Sequence, residues 1–165
     1  MKKILITGGS GFLGTNLIEH LLKKTDAELL TFDINEPKID SHNRFWKRVD
    51  IREYEELREK IVEYKPDIVI HLAARTDLRG LTLKDYDANM TGVSNLLKAI
   101  DEAGTVQKAV FASSMYVCEP GYMPKDFEDY APHTLYGESK VETRIDAAAA
   151  AYRHLIRTAE DAILR

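Results

Sequence analysis

The stretch of residues 7–14, TGGSGFLG, is the feature that most constrains what this chain can fold into. It places three glycines between a short apolar run and a helical pattern: Gly8, Gly11 and Gly14. Residues 3–6 predict a buried strand, and from Phe12 onward the apolar residues recur at helical spacing. The glycines therefore lie at a strand-to-helix turn, where the first can adopt a left-handed conformation and the third lets helix and strand pack closely.

Such a turn is suited to a phosphate group. The second glycine lets a pyrophosphate approach the main chain, and the helix N-terminus supplies free N–H groups and a partial positive charge. Asp33 ends a second apolar run about 20 residues beyond the glycines, where a carboxylate can accept both ribose hydroxyls of an adenosine. A glycine triplet alone also fits a simple tight turn, so the prediction of a dinucleotide site depends on strand, helix and Asp33 together.

Composition excludes several classes of protein. At 165 residues with 44% hydrophobic content, the chain is predicted to form one domain with one sizeable core. The net charge is −4 and the basic residues are scattered, so nucleic acid is not expected as a partner. No apolar run approaches the roughly 18 residues of a membrane span. The single Cys118 cannot form an internal disulfide, and we expect a soluble cytoplasmic protein without a membrane partner.

Strand and helix patterns alternate along the chain, which predicts a doubly wound (Rossmann) parallel sheet with strand order 3-2-1-4-5. After the first two strands, the others are expected at residues 45–49, 67–72 and 108–112. The helix before the fifth strand is predicted to bury one face and to end at Gly104; that face holds Tyr86, Met90, Val93, Leu97 and Ile100. The stretches 34–44 and 115–133 are predicted to be loops, and the longer of the two is expected to be functional.

The segment that opens the last helix, Tyr136-Gly137-Glu138-Ser139-Lys140, places a tyrosine and a lysine on one helical face. An ammonium one turn from a phenol favours the phenolate, which makes Tyr136 a candidate general base or acid. Ser114, at the end of the fifth strand, can hydrogen-bond the same reacting oxygen. Taken alone, the pair fits a solvated helix face at least as well, so its catalytic interpretation depends on the other motifs.

Taken together in chain order, these motifs resemble the extended short-chain dehydrogenase/reductase superfamily, specifically the NAD-dependent epimerase/dehydratase family. The resemblance runs from Met1 to about Lys140, and it implies a catalytic set of Ser114, Tyr136 and Lys140. It also implies that NAD is the cofactor and that the following residues contact it: Gly8, Gly11, Phe12, Leu13, Gly14, Asp33, Asp50, Ile51, Leu72, Ala73, Ala74, Asn89, Ser113, Tyr136 and Lys140.

Individual roles follow from the same resemblance. Asp50 and Ile51 match the pair that holds adenine, and residues 71–74, HLAA, are similar to the segment beside the pyrophosphate and the nicotinamide ribose. The implied chemistry is hydride transfer at a carbon of a nucleotide sugar, with Tyr136 as base. Family members pair through two helices, so a homodimer is expected. Met115 and Tyr116 stand where family dehydratases carry Asp-Glu, which disfavours dehydration relative to epimerisation or oxidoreduction.

The length departs from the family pattern. Its members are about twice this size and carry a carboxyl-terminal substrate domain that is missing here, so turnover by this chain alone is expected to be weak or absent. A non-catalytic NAD-binding or scaffold module is the alternative. Residues 1–165 are expected to form the NAD-binding domain, with 134–165 as one long helix or two helices; residues 163–165 resemble the start of a sixth strand. Five consecutive alanines at 147–151 also suit a designed helix, so truncation and engineering both stay open.

Other polar residues have simpler interpretations. His71 is expected to be a packed histidine at a strand end, because no second His or Cys stands at metal-ligand spacing and no metal is expected. Arg75 and Arg79 fit a solvated loop and an anion contact equally well. Cys118 has no base beside it in the sequence and is not expected to be a nucleophile.

Overall fold

A computed structural model describes residues 1–163, with side chains up to residue 151. Its centre is a five-stranded parallel sheet in the order 3-2-1-4-5, as predicted. The strands are β1 (Lys3–Thr7), β2 (Glu28–Asp33), β3 (Trp46–Arg48), β4 (Ile68–His71) and β5 (Lys108–Phe111). The helices are α1 (Phe12–Lys24), α2 (Tyr54–Tyr64), α3 (Asp87–Ala103) and α4 (Leu135–Ile163). The α/β fold class is therefore confirmed.

The central strand β1 has both faces covered, so its side chains alternate between two cores. Leu5 points to one side and belongs to the core that α2 and α3 cover. Ile4 and Ile6 point to the other side and pack with Ile18 of α1. A strand buried on both faces shows a continuous apolar run, which is why residues 4–6 identified β1 so clearly.

Two helices end on a left-handed residue. Gly104 closes α3 with φ 64°, and its N–H donates to the Ile100 carbonyl, as predicted. Lys65 closes α2 in the same way with φ 54°, and Pro66 follows it. Lys65 is the one non-glycine residue with positive φ in the described part of the chain. These ends turn the chain back toward β4 and β5.

The stretches predicted as loops contain structure. Residues 34–44 include a 3-10 helix, Asp40–Arg44, whose buried His42 bonds to Glu19 of α1 at 2.8 Å. Residues 115–133 open with another 3-10 helix, Met115–Val117, and an isolated bridge joins Cys118 to Ala131. Both were missed because contacts with residues far away in the sequence hold these segments, which have no periodic apolar pattern of their own.

Other predictions were wrong in detail. The third strand is shorter than 45–49, and the buried face of α3 is rotated by one position, with Leu96 rather than Leu97 in the core. The last helix runs to Ile163, so that residue is helical and does not begin a sixth strand; residues 164–165 lie outside the described residues. Over the residues that the structure covers, no helix combines the length and apolar character needed to cross a membrane.

Candidate active site

The glycine turn between β1 and α1 leaves no room for a side chain at Gly8 or Gly14. Gly8 has φ 78°, and its N–H donates to the Phe32 carbonyl at 2.8 Å. A Cβ atom on Gly8 would lie 2.5 Å from the backbone nitrogen of Ala73, just beyond the end of β4. A Cβ on Gly14 would overlap the Gly8 carbonyl oxygen and the Gly9 backbone. The turn is thus a bare backbone cradle pressed against the neighbouring strand end, as predicted for Gly8 and Gly14.

Asp33 lies at the edge of this cradle. Its carboxylate accepts the Ser10 N–H at 3.0 Å and the Asn35 N–H at 2.9 Å, which ties the end of β2 to the glycine turn. Phe12 and Leu13 follow in the first turn of α1, where their side chains are 75% and 60% exposed. Apolar side chains left exposed beside a backbone cradle are available for contact with a bound ligand.

Asp50 and Ile51, the residues matched to adenine, differ in environment. The Asp50 carboxylate is bound by the Arg52 guanidinium at 2.5–3.1 Å, and this hydrogen bonding holds the pKa of Asp50 below its usual range. Ile51 is buried, and its side chain fills the space where a Cβ on Gly92 of α3 would lie. Asp50 is therefore a half-buried carboxylate with a charged partner, while Ile51 anchors the segment in the core.

The end of β4 meets the cradle at residues 71–74. His71 is buried and shares a 2.6 Å hydrogen bond between its Nδ1 and Thr7 Oγ1, while its Nε2 has no hydrogen-bond partner among the side chains that the structure describes. Burial, with a smaller contribution from the charge of Lys140, lowers the pKa of His71 to about 3. The Leu72 N–H donates to the Thr7 carbonyl at 2.9 Å, and Ala73 is the residue against Gly8. The prediction of a packed strand-end histidine is confirmed.

Tyr136 and Lys140 both lie on the buried side of α4, so the solvated-face interpretation is wrong. Burial lowers the pKa of Lys140 to about 8. Within the described residues, no carboxylate or other group pairs with the Lys140 ammonium. The Tyr136 ring lies between Tyr86 and Tyr116, with centroid distances of 6.1 and 5.8 Å. An unpaired buried cation is costly, which is typical of a group kept for a ligand.

Ser114 is brought to this helix by the 3-10 segment that follows it. Its Oγ accepts the Tyr116 N–H at 3.2 Å, so the hydroxyl proton of Ser114 stays available to another acceptor. A Cβ atom on Gly137 would overlap the Tyr116 carbonyl oxygen, which means that the first turn of α4 packs directly on this segment. Ser113 is exposed beside it. The sequence-predicted catalytic residues thus lie on two segments that pack together.

Asn89 is buried on α3 and connects three parts of the site. Its Oδ1 accepts the Arg75 N–H at 2.8 Å, and its Nδ2 donates to the Arg75 carbonyl at 3.0 Å and to Ser139 Oγ at 2.9 Å. All three contacts are within the protein. The contact of Asn89 with cofactor therefore stays a prediction, and its observed contacts hold the loop after β4 against α4.

Sequence reasoning gave no role at the site to Ser139, Gly137 or Tyr86, and it placed Tyr86 only on the buried face of a helix. Their partners lie 50, 21 and 50 positions away, namely Asn89, Tyr116 and Tyr136. The one available signal was the small residues Gly137 and Ser139 within a helix that also carries Tyr136 and Lys140. Small side chains at those positions allow close approach to a neighbouring segment.

The two arginines after β4 are tied to their own loop. Arg75 pairs with Asp77 at 2.8 Å and lies over the Tyr86 ring at 5.2 Å, and the Arg79 N–H donates to Asp77 at 2.9 Å. Among the side chains that the structure describes, no cluster of three or more His, Cys, Asp or Glu residues could hold a metal ion. Cys118 is a free, half-buried cysteine whose Sγ lies 3.9 Å from the Asp129 carbonyl oxygen.

The donor set fits a dinucleotide cofactor on the geometry alone. The cradle at Gly8 is empty of side chains, a helix N-terminus opens there, and a carboxylate stands at its edge. Anionic phosphates are favoured at a helix N-terminus, and ribose hydroxyls can donate to the carboxylate of Asp33. The Lys140 ammonium lies close enough to His71, at the end of β4, for its charge to lower the pKa of that histidine.

Comparison with known proteins gives the same result. A model of the NAD dependent epimerase/dehydratase family matches residues 4–158. A UDP-glucose 4-epimerase from Neisseria meningitidis serogroup C is 34% identical over 155 residues, covering 85% of this chain and 45% of that protein. A 3-beta-hydroxysteroid dehydrogenase from Mycolicibacterium neoaurum is 31% identical over 154 residues, covering 86% of this chain and 41% of that protein. The chain thus spans about half the length of the relatives it matches.

Solved structures agree with these sequence relatives. The UDP-glucose 4-epimerase of Thermus thermophilus, solved as a complex with NAD, superposes with a TM-score of 0.76 at 26% identity. That match covers 92% of this chain and 51% of the other. With the family model matched over 4–158 and NAD as the cofactor, the chain belongs to the NAD dependent epimerase/dehydratase family.

Proposed function

We propose that this chain binds NAD along the carboxyl edge of its sheet and supplies the base for hydride transfer at a sugar carbon of a nucleotide sugar. One observation carries the proposal. The side chain of Lys140 is buried and has no acidic partner in the described part of the chain. It lies one helical turn from Tyr136 and close enough to His71, at the end of β4, for its charge to lower the pKa of that histidine. A site built for a ligand explains that arrangement better than a structural ion pair does.

The residues that would hold NAD divide along the sheet edge. Gly8, Gly11 and Gly14 receive the pyrophosphate, with Phe12 and Leu13 beside it. Asp33 binds the adenosine ribose, and Asp50 and Ile51 flank adenine. At the nicotinamide end of the cofactor, the ribose contacts a second set of residues: Leu72, Ala73, Ala74, Asn89, Ser113, Tyr136 and Lys140. When bound, NAD accepts a hydride from the substrate carbon, which is the chemistry that the side chains alone do not supply.

Tyr136, Lys140 and Ser114 then perform the proton transfer. The Tyr136 phenolate takes the proton of the substrate hydroxyl, and the Lys140 ammonium stabilises that phenolate. The Ser114 hydroxyl accepts a hydrogen bond from the Tyr116 N–H, so its own proton can be donated to the reacting oxygen. Burial of Lys140 strengthens this electrostatic assistance, because a charge in a low-dielectric site is less screened.

The reaction class follows from what stands beside Ser114. Met115 and Tyr116 provide no carboxyl group to remove water from a sugar, and the Met115 side chain is exposed. This favours epimerisation or oxidoreduction over dehydration. The named substrate of the Neisseria relative, a UDP-sugar, gives the substrate class that we propose for this site.

A polypeptide of these 165 residues is expected to bind NAD and to turn over nucleotide sugars slowly or not at all. The matched relatives are about twice as long, and correct positioning of a substrate contributes about 7–11 kcal/mol to rate acceleration. The competing hypothesis is a non-catalytic NAD-binding module, in which Tyr136 has no chemical role. The two hypotheses differ in whether any turnover depends on Tyr136.

The test is incubation with NAD and a panel of nucleotide sugars, with NADH absorbance and sugar products followed in the wild type and in a Tyr136→Phe variant. Slow product formation that disappears in Tyr136→Phe supports the proposal. Product formation that Tyr136→Phe leaves unchanged removes Tyr136 as the base. Binding of NAD with no product from any nucleotide sugar, even when a carboxyl-terminal half of a relative is added in trans, supports the non-catalytic module instead.

We also propose a homodimer through α3 and α4, the helices through which family members pair. These helices pack on each other, and α4 exposes Ile145 ahead of the small residues 147–151, which allow close helix approach. Sedimentation at tens of micromolar tests this, since a standard interface holds at concentrations of that order. A clean monomer there contradicts the dimer. A cytoplasmic location stays a prediction based on the single cysteine.

A further inference from the structure

The interface between α3 and α4 contains a buried polar seam formed by Asn89, Ser139 and Thr143. Each of these side chains is 1% exposed or less, and each is hydrogen-bonded. Buried polar groups cost free energy unless they are hydrogen-bonded. A polar seam in place of apolar packing therefore fixes how α3 and α4 lie against each other, at some cost in stability. We infer that Ser139 is a positioning residue for Tyr136, and that the Asn89–Ser139 hydrogen bond sets where the proposed base stands.

The hydrogen bonds define one direction through Ser139. Asn89 Nδ2 donates to Ser139 Oγ at 2.9 Å, and Ser139 Oγ donates its single proton to the Tyr136 carbonyl at 2.7 Å. The Asn89 amide cannot be reversed, because its Nδ2 also donates to the Arg75 carbonyl and its Oδ1 accepts the Arg75 N–H. Rotating the amide would place two acceptors against each other. The hydrogen bonds from Arg75 through Asn89 and Ser139 to the Tyr136 carbonyl thus form a relay in which each atom is fixed as donor or acceptor.

This relay acts on the first turn of α4. A serine that bonds to the carbonyl three residues earlier replaces part of the regular helical pattern and adjusts the local helix path. The carbonyl concerned is that of Tyr136 itself, so the bond fixes the peptide from which the phenol projects. Gly137 in the same turn packs so closely on the Tyr116 carbonyl that a Cβ atom there would overlap its oxygen, which further restrains the turn.

The other end of the relay reaches the cofactor cradle. Arg75, whose backbone Asn89 holds with two hydrogen bonds, lies two residues after Ala73, the residue pressed against Gly8. One buried amide thus joins the strand end beside the glycine turn to the helix that carries Tyr136 and Lys140. A substitution at Ser139 should therefore change the position of Tyr136 relative to the glycine cradle without altering the residues of either.

Thr143 provides a matched control within the seam. Its Oγ1 donates to the Asn89 carbonyl at 2.9 Å and is as deeply buried as Ser139, but it lies one turn further from the site. Removing either hydroxyl takes one buried hydrogen bond between α3 and α4 and one within α4, because Ser139 Oγ also bonds to the Tyr136 carbonyl and Thr143 Oγ1 also reaches the Ser139 carbonyl at 3.1 Å. A merely structural seam predicts similar effects from both changes, whereas a positioning role predicts that only Ser139 affects Tyr136.

The experiment compares Ser139→Ala with Thr143→Ala in the full chain labelled with ¹³C-tyrosine. The ring signal of Tyr136 is assigned by its loss in Tyr136→Phe, and NAD affinity is measured by calorimetry. We expect Ser139→Ala to move the Tyr136 signal and to weaken NAD binding about 5–10-fold, the size of one lost hydrogen bond. Thr143→Ala should leave the signal in place and change NAD affinity less than about twofold.

Equal displacement of the Tyr136 signal by both variants, or no displacement by Ser139→Ala, overturns the inference. Ser139→Cys serves if Ser139→Ala does not fold, because its thiol is a weak donor and a weak acceptor and therefore weakens both hydrogen bonds of Ser139. A Tyr136 signal at the wild-type position in Ser139→Cys overturns the inference in the same way. The inference rests on the proposed function for its meaning, but the ring signal needs no cofactor. Failure of the wild type to bind NAD therefore contradicts the proposed function alone.

Discussion

Gly8 and Ala73 are in such close backbone contact that a Cβ atom on Gly8 would lie 2.5 Å from the Ala73 nitrogen. The contact joins the turn after β1 to the end of β4, two segments separated by more than 60 residues in the sequence. Neighbouring parallel strands bring their carboxyl ends to one edge of the sheet, and this edge is where open α/β sheets bind ligands. The contact therefore forms the floor of the proposed NAD site.

Gly8→Ala should destabilise the chain and abolish measurable NAD binding. Alanine at φ 78° is strained by about 1–2 kcal/mol, and its overlap with Ala73 adds about 1–3 kcal/mol. Gly121→Ala is the matched control, since Gly121 has φ 86° but a Cβ atom there would meet no other atom within 4 Å. It should lose about 1–2 kcal/mol and bind NAD normally. Urea unfolding measures the free energy of unfolding, and calorimetry measures NAD affinity. Equal losses of stability and of affinity in the two variants would contradict the role of the Gly8–Ala73 contact.

His71 should make stability depend on pH in the acid range. Its folded pKa is about 3, below the ordinary 6.5, so the unfolded state binds more protons between these values. Stability contributed by this group is complete above pH 6.5 and falls by about 1.4 kcal/mol per pH unit toward pH 3. His71→Asn keeps an amide near the Nδ1 that meets Thr7 but does not titrate. Urea unfolding from about pH 3 to 7 should give a flatter curve for the variant, and parallel curves would contradict the burial of a neutral imidazole.

Lys140→Met should raise stability and lower NAD affinity at the same time. The folded pKa of Lys140 is about 8 against an ordinary 10.5, so burial of the charge costs about 3 kcal/mol at pH 7. The unfolded state binds more protons than the folded state between pH 8 and 10.5, so wild-type stability rises across that range. The difference in stability between Lys140→Met and the wild type should therefore shrink as the pH rises. The exposed Lys84→Met is the control and should change neither property. A Lys140→Met variant less stable than wild type at neutral pH would show that the ammonium has a stabilising partner.

Local sequence patterns predicted the framework and the positions of several candidate site residues within it. The apolar runs of β1 and β4 gave the strand order, and Gly8, Gly14 and Gly104 were identified because each meets a backbone requirement that only glycine satisfies without strain. Tyr136 and Lys140 were placed on one helical face by spacing alone. Their burial was not predictable in that way, since spacing does not say what covers a face.

The residues that hold the site together were not predictable from local patterns. Ser139 bonds to Asn89 across 50 positions, and Tyr86 packs against Tyr136 across the same distance. A serine in a helix has no preference for such a partner in the local sequence. Likewise, the 3-10 helix Asp40–Arg44 depends on His42 reaching Glu19 of α1, a contact that exists only once the sheet has formed.

The most direct test of the account is the choice between NAD and NADP at Asp33. Its carboxylate, held by the N–H groups of Ser10 and Asn35, can accept ribose hydroxyls but repels a 2′-phosphate. Calorimetric titration should show NAD binding at least about tenfold tighter than NADP, a difference of about 1.4 kcal/mol, and Asp33→Asn should reduce that ratio. Equal or tighter binding of NADP by the wild type would contradict the assignment of Asp33 and of the cradle beside it.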